Sequence, residues 1–299
     1  MIAIFAPAGI GEVGPQTDLA AALTTAVAEN PDGPLADGDI LVVTSKILSK
    51  AEGRTAPAAE RDEVITAETV RTVARRGPTR IVRTRAGLVL AAAGVDNSNV
   101  APGTVLRLPE DADASAARLR EALQRRTGVR LGVVVSDTAG RPWRVGQVDH
   151  AIGVAGVLPL EAYAGRLDPY GNRLEVTAMA LADELAAAAD LAKGKLAGRP
   201  LAVVRGLGHL VADVPDGARA LVRPEQGDMF GYGSRESVLA AALAAAGRLD
   251  AYERLVALDG PDRVRETLAA VRAEGPAAAL LAALLEVDLA SASVLSEPR

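Results

Sequence analysis

A chain of 299 residues carrying 33 Lys and Arg against 38 Asp and Glu, formal net charge −5, buries a core easily and has no basic excess to recommend nucleic acid or an anionic membrane as its main partner. The lack of cysteine excludes disulfides, thiolate nucleophiles and Cys-ligated zinc or iron–sulfur centres. Only two histidines are present, so any metal must be held mainly by oxygen, which suits Mg2+, Mn2+ or Ca2+.

Aromatics make up 2% of the residues, so Ala, Val and Leu must build the core. The N-terminus, "MIAIFAPAGIGEVGP", has no basic leader region and is broken at Pro7 and Gly9. It reads as a strand over residues 2–5, and the chain as a soluble, cytoplasmic protein. Periodicity predicts a helix over 18–29, ended by "NPDGP", and a buried strand over 40–43. It then predicts a helix over 67–76 ("AETVRTVARR") and strands over 80–84 and 88–92. A helix over 115–126 ends at Gly128, strands follow over 131–135 and 150–154, then a helix over 176–191 and a strand over 201–204. From Ser234 onward only short helices are expected. The pattern is mixed α/β (α+β), with a domain over 1–245 and a helical C-terminal extension over 246–299.

Short polar clusters interrupt this pattern, most of them after strands, where such sheets place ligands. "AGIGEVG" (8–14) is either a plain turn or a loop whose amides approach a nucleotide. In "VVTSKILSKAEGR", Ser45 opens a helical turn and Lys46 and Lys50 share a face, a phosphate-binding pair or a solvated basic face. In "AAAGVDNSNV", Asp96 and Asn99 read either as hard-cation ligands or as an Asx turn.

The stretch "VVVSDTAGRPWRVGQVDHAIGVAG" puts Asp137 and Thr138 at a strand end, suited to holding a metal against phosphate. Arg141 and Arg144 are candidates to neutralise anions, and Trp143 is either a stacking platform or a surface anchor. His150 reads as a packing residue. Asp183 and Asp190 share a helix face, and Lys193 and Lys195 flank Gly194 at the helix end, where cations are favoured in any case. There is no Walker-type G-x-x-x-x-G-K-[ST] sequence.

Taken in order, "DGDILVVTSKILSKAEGR", "AGLVLAAAGVDNSNV", the Trp143 stretch and "VTAMALADELAAAADLAKGK", with "LAVVRGL" behind, resemble the coenzyme F420-0:L-glutamate ligase (F420:γ-glutamyl ligase) family over residues 1 to about 235. The pattern is nearest the actinobacterial form of the ligase domain. That form is often fused to a flavin-binding domain for which the tail here is too short, so FMN is not expected.

The resemblance implies a family-specific mixed α/β fold, an intertwined homodimer, and GTP with Mn2+ or Mg2+ (two per site) used to join L-glutamate to F420-0, followed by further γ-linked glutamates. It implies Asp96 and Asp137 as metal ligands, with Thr138 on a second metal. Ile10, Gly11, Glu12, Val13, Ser45, Lys46, Lys50 and Asn99 are implied as GTP contacts. Family members can carry a glutamine as a further metal contact near Lys195, and Gly11 stands where proline is common. We add Lys50 and Arg144 as catalytic candidates, with the Gly140–Gln147 segment expected as a loop closing over nucleotide or substrate. Two other readings stand beside this one: a related ligase for a different acid or amino acid, and a nucleotide-binding interaction protein without turnover.

Overall fold

The computed structural model describes residues 1–294, with side chains described to residue 285; the end of the expected extension, 295–299, lies outside them. Two compact units form, one from Met1–Val64 with Gly94–Arg223, the other from Ile65–Ala93 with Pro224 onward.

The first unit is built on a five-stranded sheet. Its order is β1 (Ala3–Phe5), β12 (Leu201–Arg205), β2 (Ile40–Thr44), β8 (Gly132–Arg141) and β9 (Arg144–Ala155). Only β2 and β8 run parallel; the other neighbours are antiparallel. The central strands are continuous apolar runs because both faces are covered. Val42, Val134, Ala202 and Val204 pack against Leu181, Leu185 and Ala189 of α5 (Leu181–Lys193). On the other face α4 (Ala112–Thr127) lies against β8 and β9 and also packs on α1 (Leu19–Ala28). Asp18 caps α1 by accepting the Ala21 amide at 2.9 Å, and Gly128, at φ +73, ends α4 as expected. At Gly153 a Cβ would lie 2.3 Å from the Ala112 carbonyl oxygen, so glycine lets the start of α4 touch β9.

The remaining pieces of this unit are short. α2 (Ser45–Ala51) leaves β2 without a linker. β3 (Thr55–Pro57) pairs with β7 (Thr104–Leu106), and β10 (Glu161–Ala162) with β11 (Ala178–Met179).

α3 (Arg61–Glu68) carries the chain toward the second unit. There β4 (Thr69–Arg76), β5 (Thr79–Thr84) and β6 (Val89–Ala91) form an antiparallel sheet. The helices are α6 (Ser234–Ala245), α7 (Tyr252–Val256), α8 (Gly260–Val271) and α9 (Gly275–Val294). Leu239, Leu243, Tyr252 and Leu255 form their core.

Two expectations change. Residues 69–76 are a strand, not a helix. The β-branched Thr69, Val70, Thr72 and Val73 suit the pleat, and Gly77, at φ +52, turns the chain back into β5. A register shift after Thr72 frees its amide, which Glu253 accepts at 2.9 Å together with the Thr72 hydroxyl. Secondly, β8 does not stop at Val135 but runs to Arg141. The expected Gly140–Gln147 loop is the paired tip of a β8–β9 hairpin, with Gly140 opposite Gln147. Beside the expected 1–245 domain, the compact units divide at Val64/Ile65, Ala93/Gly94 and Arg223/Pro224, and within the second unit the buried face of α6 packs on α7. Among the described residues no helix is long and apolar enough to cross a membrane.

Candidate active site

The period of two along β8 decides which way its polar residues point. Val134 faces α5, so Ser136 and Thr138 share that face, while Asp137 points to the α2 side. Asp149 of β9 stands opposite Thr138 and therefore joins the α5 face. A bulge between Val135 and Ser136 shifts the register here, and Asp183 of α5 accepts the freed Ala151 amide at 2.9 Å.

On the α2 side, Ser45 donates its hydroxyl to Asp137 at 2.9 Å. Burial pushes the Asp137 carboxyl up to about 6; Ser45 and the Lys46 ammonium oppose the shift, and the Asp149 and Asp96 carboxylates add to it. Asp96 is fixed by a backbone bridge to Leu106. Burial acts to raise its carboxyl too, but the Lys46 ion pair and the Ser98 hydroxyl and amide win and hold it at about 2. On the α5 face, Lys193 and Asp149 form a buried pair at 2.8 Å, with side chains only 5% and 4% exposed. Ser136 accepts from Lys193 at 2.9 Å and donates to Asp149 at 2.8 Å, and Thr138 donates to Asp149 at 2.7 Å. Burial alone would raise Asp149; the Lys193 ammonium and these hydrogen bonds lower it.

A cleft of roughly 840 Å3 opens beside these groups, within the size range of ligand pockets. It gathers Ile10, Gly11, Glu12, Val13, Lys46, Lys50, Asn99 and Thr138 from four distant stretches of the chain. Lys50 reaches Glu12 at 2.5 Å across it. Asn99 takes φ +56, a left-handed conformation that asparagine tolerates better than most residues. Ser45 is buried and directed at Asp137, so it supports the carboxylate and does not line the cleft. Arg141 and Arg144 are not on the cleft wall; they flank the hairpin turn, whose Trp143 is 81% exposed at φ +60.

The sequence reading missed Asp149 and Arg199 as cleft residues and treated Lys193 as an ordinary helix-end cation. A readable signal existed for Asp149: a carboxylate inside "VDHAIGVA", where a strand turns apolar.

Against this geometry the comparisons are specific. The sequence profile of the family described as F420-0:Gamma-glutamyl ligase matches residues 9–206. The chain belongs to this family. A coenzyme F420:L-glutamate ligase of Methanothermobacter thermautotrophicus is 40% identical over 252 residues, covering 77% of this chain and 98% of the relative. That of Methanopyrus kandleri is 39% identical, covering 73% and 93%, and that of Archaeoglobus fulgidus 42% identical, covering 57% and 76%. The match to the F420-0:γ-glutamyl ligase family spans the whole cleft, from Ile10 to Pro200.

The donor chemistry separates two metal positions. Among the described residues no three Asp, Glu or His side chains cluster closely enough to hold a metal by themselves. Mg2+ and Mn2+ at phosphate sites need only one or two carboxylates, the phosphates supplying the rest. Asp137 would fit such a site: the neutral Ser45 hydroxyl donates to it, and burial raises its pKa, a penalty on the charged form that a bound cation would offset. Asp96 would supply the second carboxylate through Oδ1, because Lys46 and the Ser98 hydroxyl hold Oδ2. At Thr138 the Lys195 ammonium stands where a further metal would lie, and the Thr138 hydroxyl accepts from it at 2.8 Å.

Proposed function

We propose that this chain is a GTP-dependent ligase that condenses L-glutamate with the terminal carboxylate of coenzyme F420-0 and extends the product by further γ-linked glutamates. The observation that carries the reading is the convergence of the Ile10–Val13 loop, Lys46, Lys50 and Asn99 on one cleft beside Asp137, a buried carboxylate. The relatives are coenzyme F420:L-glutamate ligases, which supports glutamate and F420 as the substrates.

A carboxylate and an amine do not condense in water until a carboxylate oxygen becomes part of a leaving group. In the first step that oxygen attacks the γ-phosphorus of GTP, the bond to the β–γ bridging oxygen breaks, and GDP departs with the electron pair. The acyl phosphate is then attacked at its acyl carbon by the amine of glutamate, which has lost one proton to solvent. Inorganic phosphate leaves, and the nitrogen sheds its second proton as the amide forms. No protein nucleophile is required. The Ile10–Val13 amides and Asn99 hold the nucleotide, while Lys46 and Lys50 neutralise its phosphates and fix them in line. Asp96 and Asp137 would hold Mg2+ or Mn2+, which would supply Lewis-acid stabilisation of the phosphoryl charge. The ligation transfers no electrons, so it calls for no flavin.

The active form in this reading is a homodimer. Trp143, Val145, Tyr170 and Val176 are large apolar side chains at least 81% exposed, the kind of surface a second copy covers.

The test is GDP release, with product mass read in parallel, from GTP, Mn2+, L-glutamate and F420-0, for wild type and Asp137→Ala. GDP coupled to products heavier by glutamyl units, and lost in the variant, supports the reading. GTP binding without GDP or a heavier product would move the search to another acid acceptor.

A further inference from the structure

The α5 end of the cleft carries cations that the ligase reading has not used, and Lys195 is the one seated on Thr138. Lys195 lies just past the end of α5, in the "GKLAGRP" segment that lines the cleft. Its ammonium donates to Thr138 Oγ1 at 2.8 Å and sits 3.7 Å from Asp149 and 3.4 Å from Asp190. The side chain remains 60% exposed, so it is open to a ligand in the cleft.

Thr138 Oγ1 has its proton committed to Asp149 at 2.7 Å and a lone pair committed to Lys195. Asp149 in turn has its other oxygen committed to the buried Lys193. The three acceptors that a cation beside Thr138 would use therefore already face ammonium groups. A divalent ion brought to that place would meet a like charge at contact distance.

We infer that Lys195 is the resident positive charge beside Thr138, so that this chain binds one divalent cation with its nucleotide and not two. The inference rests on the ligase reading for the identity of the nucleotide. The single cation is the one at Asp96 and Asp137. The tethered ammonium takes the other place and faces the nucleotide's phosphate oxygens across the cleft, as a point charge that lysine supplies without a metal's demand for several ligands.

The whole chain is titrated with Mn2+ in the presence of the non-hydrolysable GTP analogue GMPPNP. Bound metal is counted by equilibrium dialysis and analogue binding by calorimetry. Wild type is expected to bind one Mn2+ per chain. Lys195→Gln replaces the ammonium with a neutral oxygen of similar reach at an exposed position and is expected to raise the count to two. Asp137→Asn is expected to lose the single ion of the wild type. Two Mn2+ per wild-type chain, or a Lys195→Gln variant that still binds one, would overturn the inference while leaving the ligase reading intact. Failure of the wild type to bind GMPPNP would instead overturn the ligase reading, and this inference with it.

Discussion

Each of the two units buries an ion pair, and the pairs differ in what surrounds them. In the first unit Lys193 and Asp149 lie 2.8 Å apart, and Ser136 and Thr138 complete their hydrogen bonds. That network ends at a cleft wall beside Lys195. In the second unit Arg263 and Glu236 are 2% and 3% exposed, yet their closest approach is 3.9 Å, beyond hydrogen-bond range. The Arg263 guanidinium instead binds the carbonyls of Leu258 at 2.7 Å and Val256 at 3.0 Å, tying down the end of α7. Burial, followed by the nearby Arg235, lowers its pKa. A buried charge alone thus says little about function. One that is fully hydrogen-bonded and opens onto a cleft with further charges does.

The comparison can be broken most sharply at Asp137. Asp137→Asn should cut turnover by about 10³-fold or more, the usual scale for removing charge stabilisation at a phosphoryl centre, with folding retained by circular dichroism. A loss below tenfold would remove Asp137 from the chemistry. Lys193→Met should leave the buried Asp149 with only the Lys195 ammonium, 3.7 Å away, and cost about 3 kcal/mol of unfolding free energy, read by urea denaturation, with nucleotide affinity falling as well. Arg263→Met should cost about 2–3 kcal/mol through its two orphaned carbonyls, with kcat per folded molecule unchanged. Equal effects of these two variants on nucleotide affinity would erase the distinction between the pairs.

The smallest effect is in pH dependence. In metal-stripped protein the folded Asp137 holds its proton up to about 6, against 3.8 for an ordinary aspartate. The native state therefore binds more protons than the unfolded state between those values, so its stability rises as pH falls through about 6. The gain should be about 1–2 kcal/mol, and Asp137→Asn should flatten it. A metal-free wild type whose stability falls over that range relative to the variant would contradict the burial of this carboxylate.

Most of the site could be read before the fold was known because its residues sit in local contexts with limited alternatives. A glycine-bearing loop after the first strand, lysines at 46 and 50 on one helical turn and Asp137 past an apolar run are each visible in a short window. Asp149 and Lys193 escaped because their meaning is pairwise. Each is an unremarkable charge in sequence, and only the β8–β9 register and the end of α5 bring them to 2.8 Å. The segment over 69–76 escaped for a related reason. "TVRTVARR" fits a helical period as well as a strand, and the choice falls to its partners, the adjacent strand β5 on one side and Glu253 and Tyr252, far along the chain, on the other.

The sequence by itself determined the mixed α/β composition, the apolar strands of the central sheet, the capped helices α1 and α4, the helical run after Ser234, and the family. These follow from side-chain periodicity and capping chemistry, which act over a few residues, and from long contiguous motifs. Tertiary structure decided the rest: the division of the chain between two units, the hairpin that continues past Val135, the pairing of Asp149 with Lys193, and the seating of Lys195 on Thr138. Each depends on strand register and on which faces meet. A shift of one residue reverses a strand's faces, and no local window of sequence specifies the partner across which that register is set.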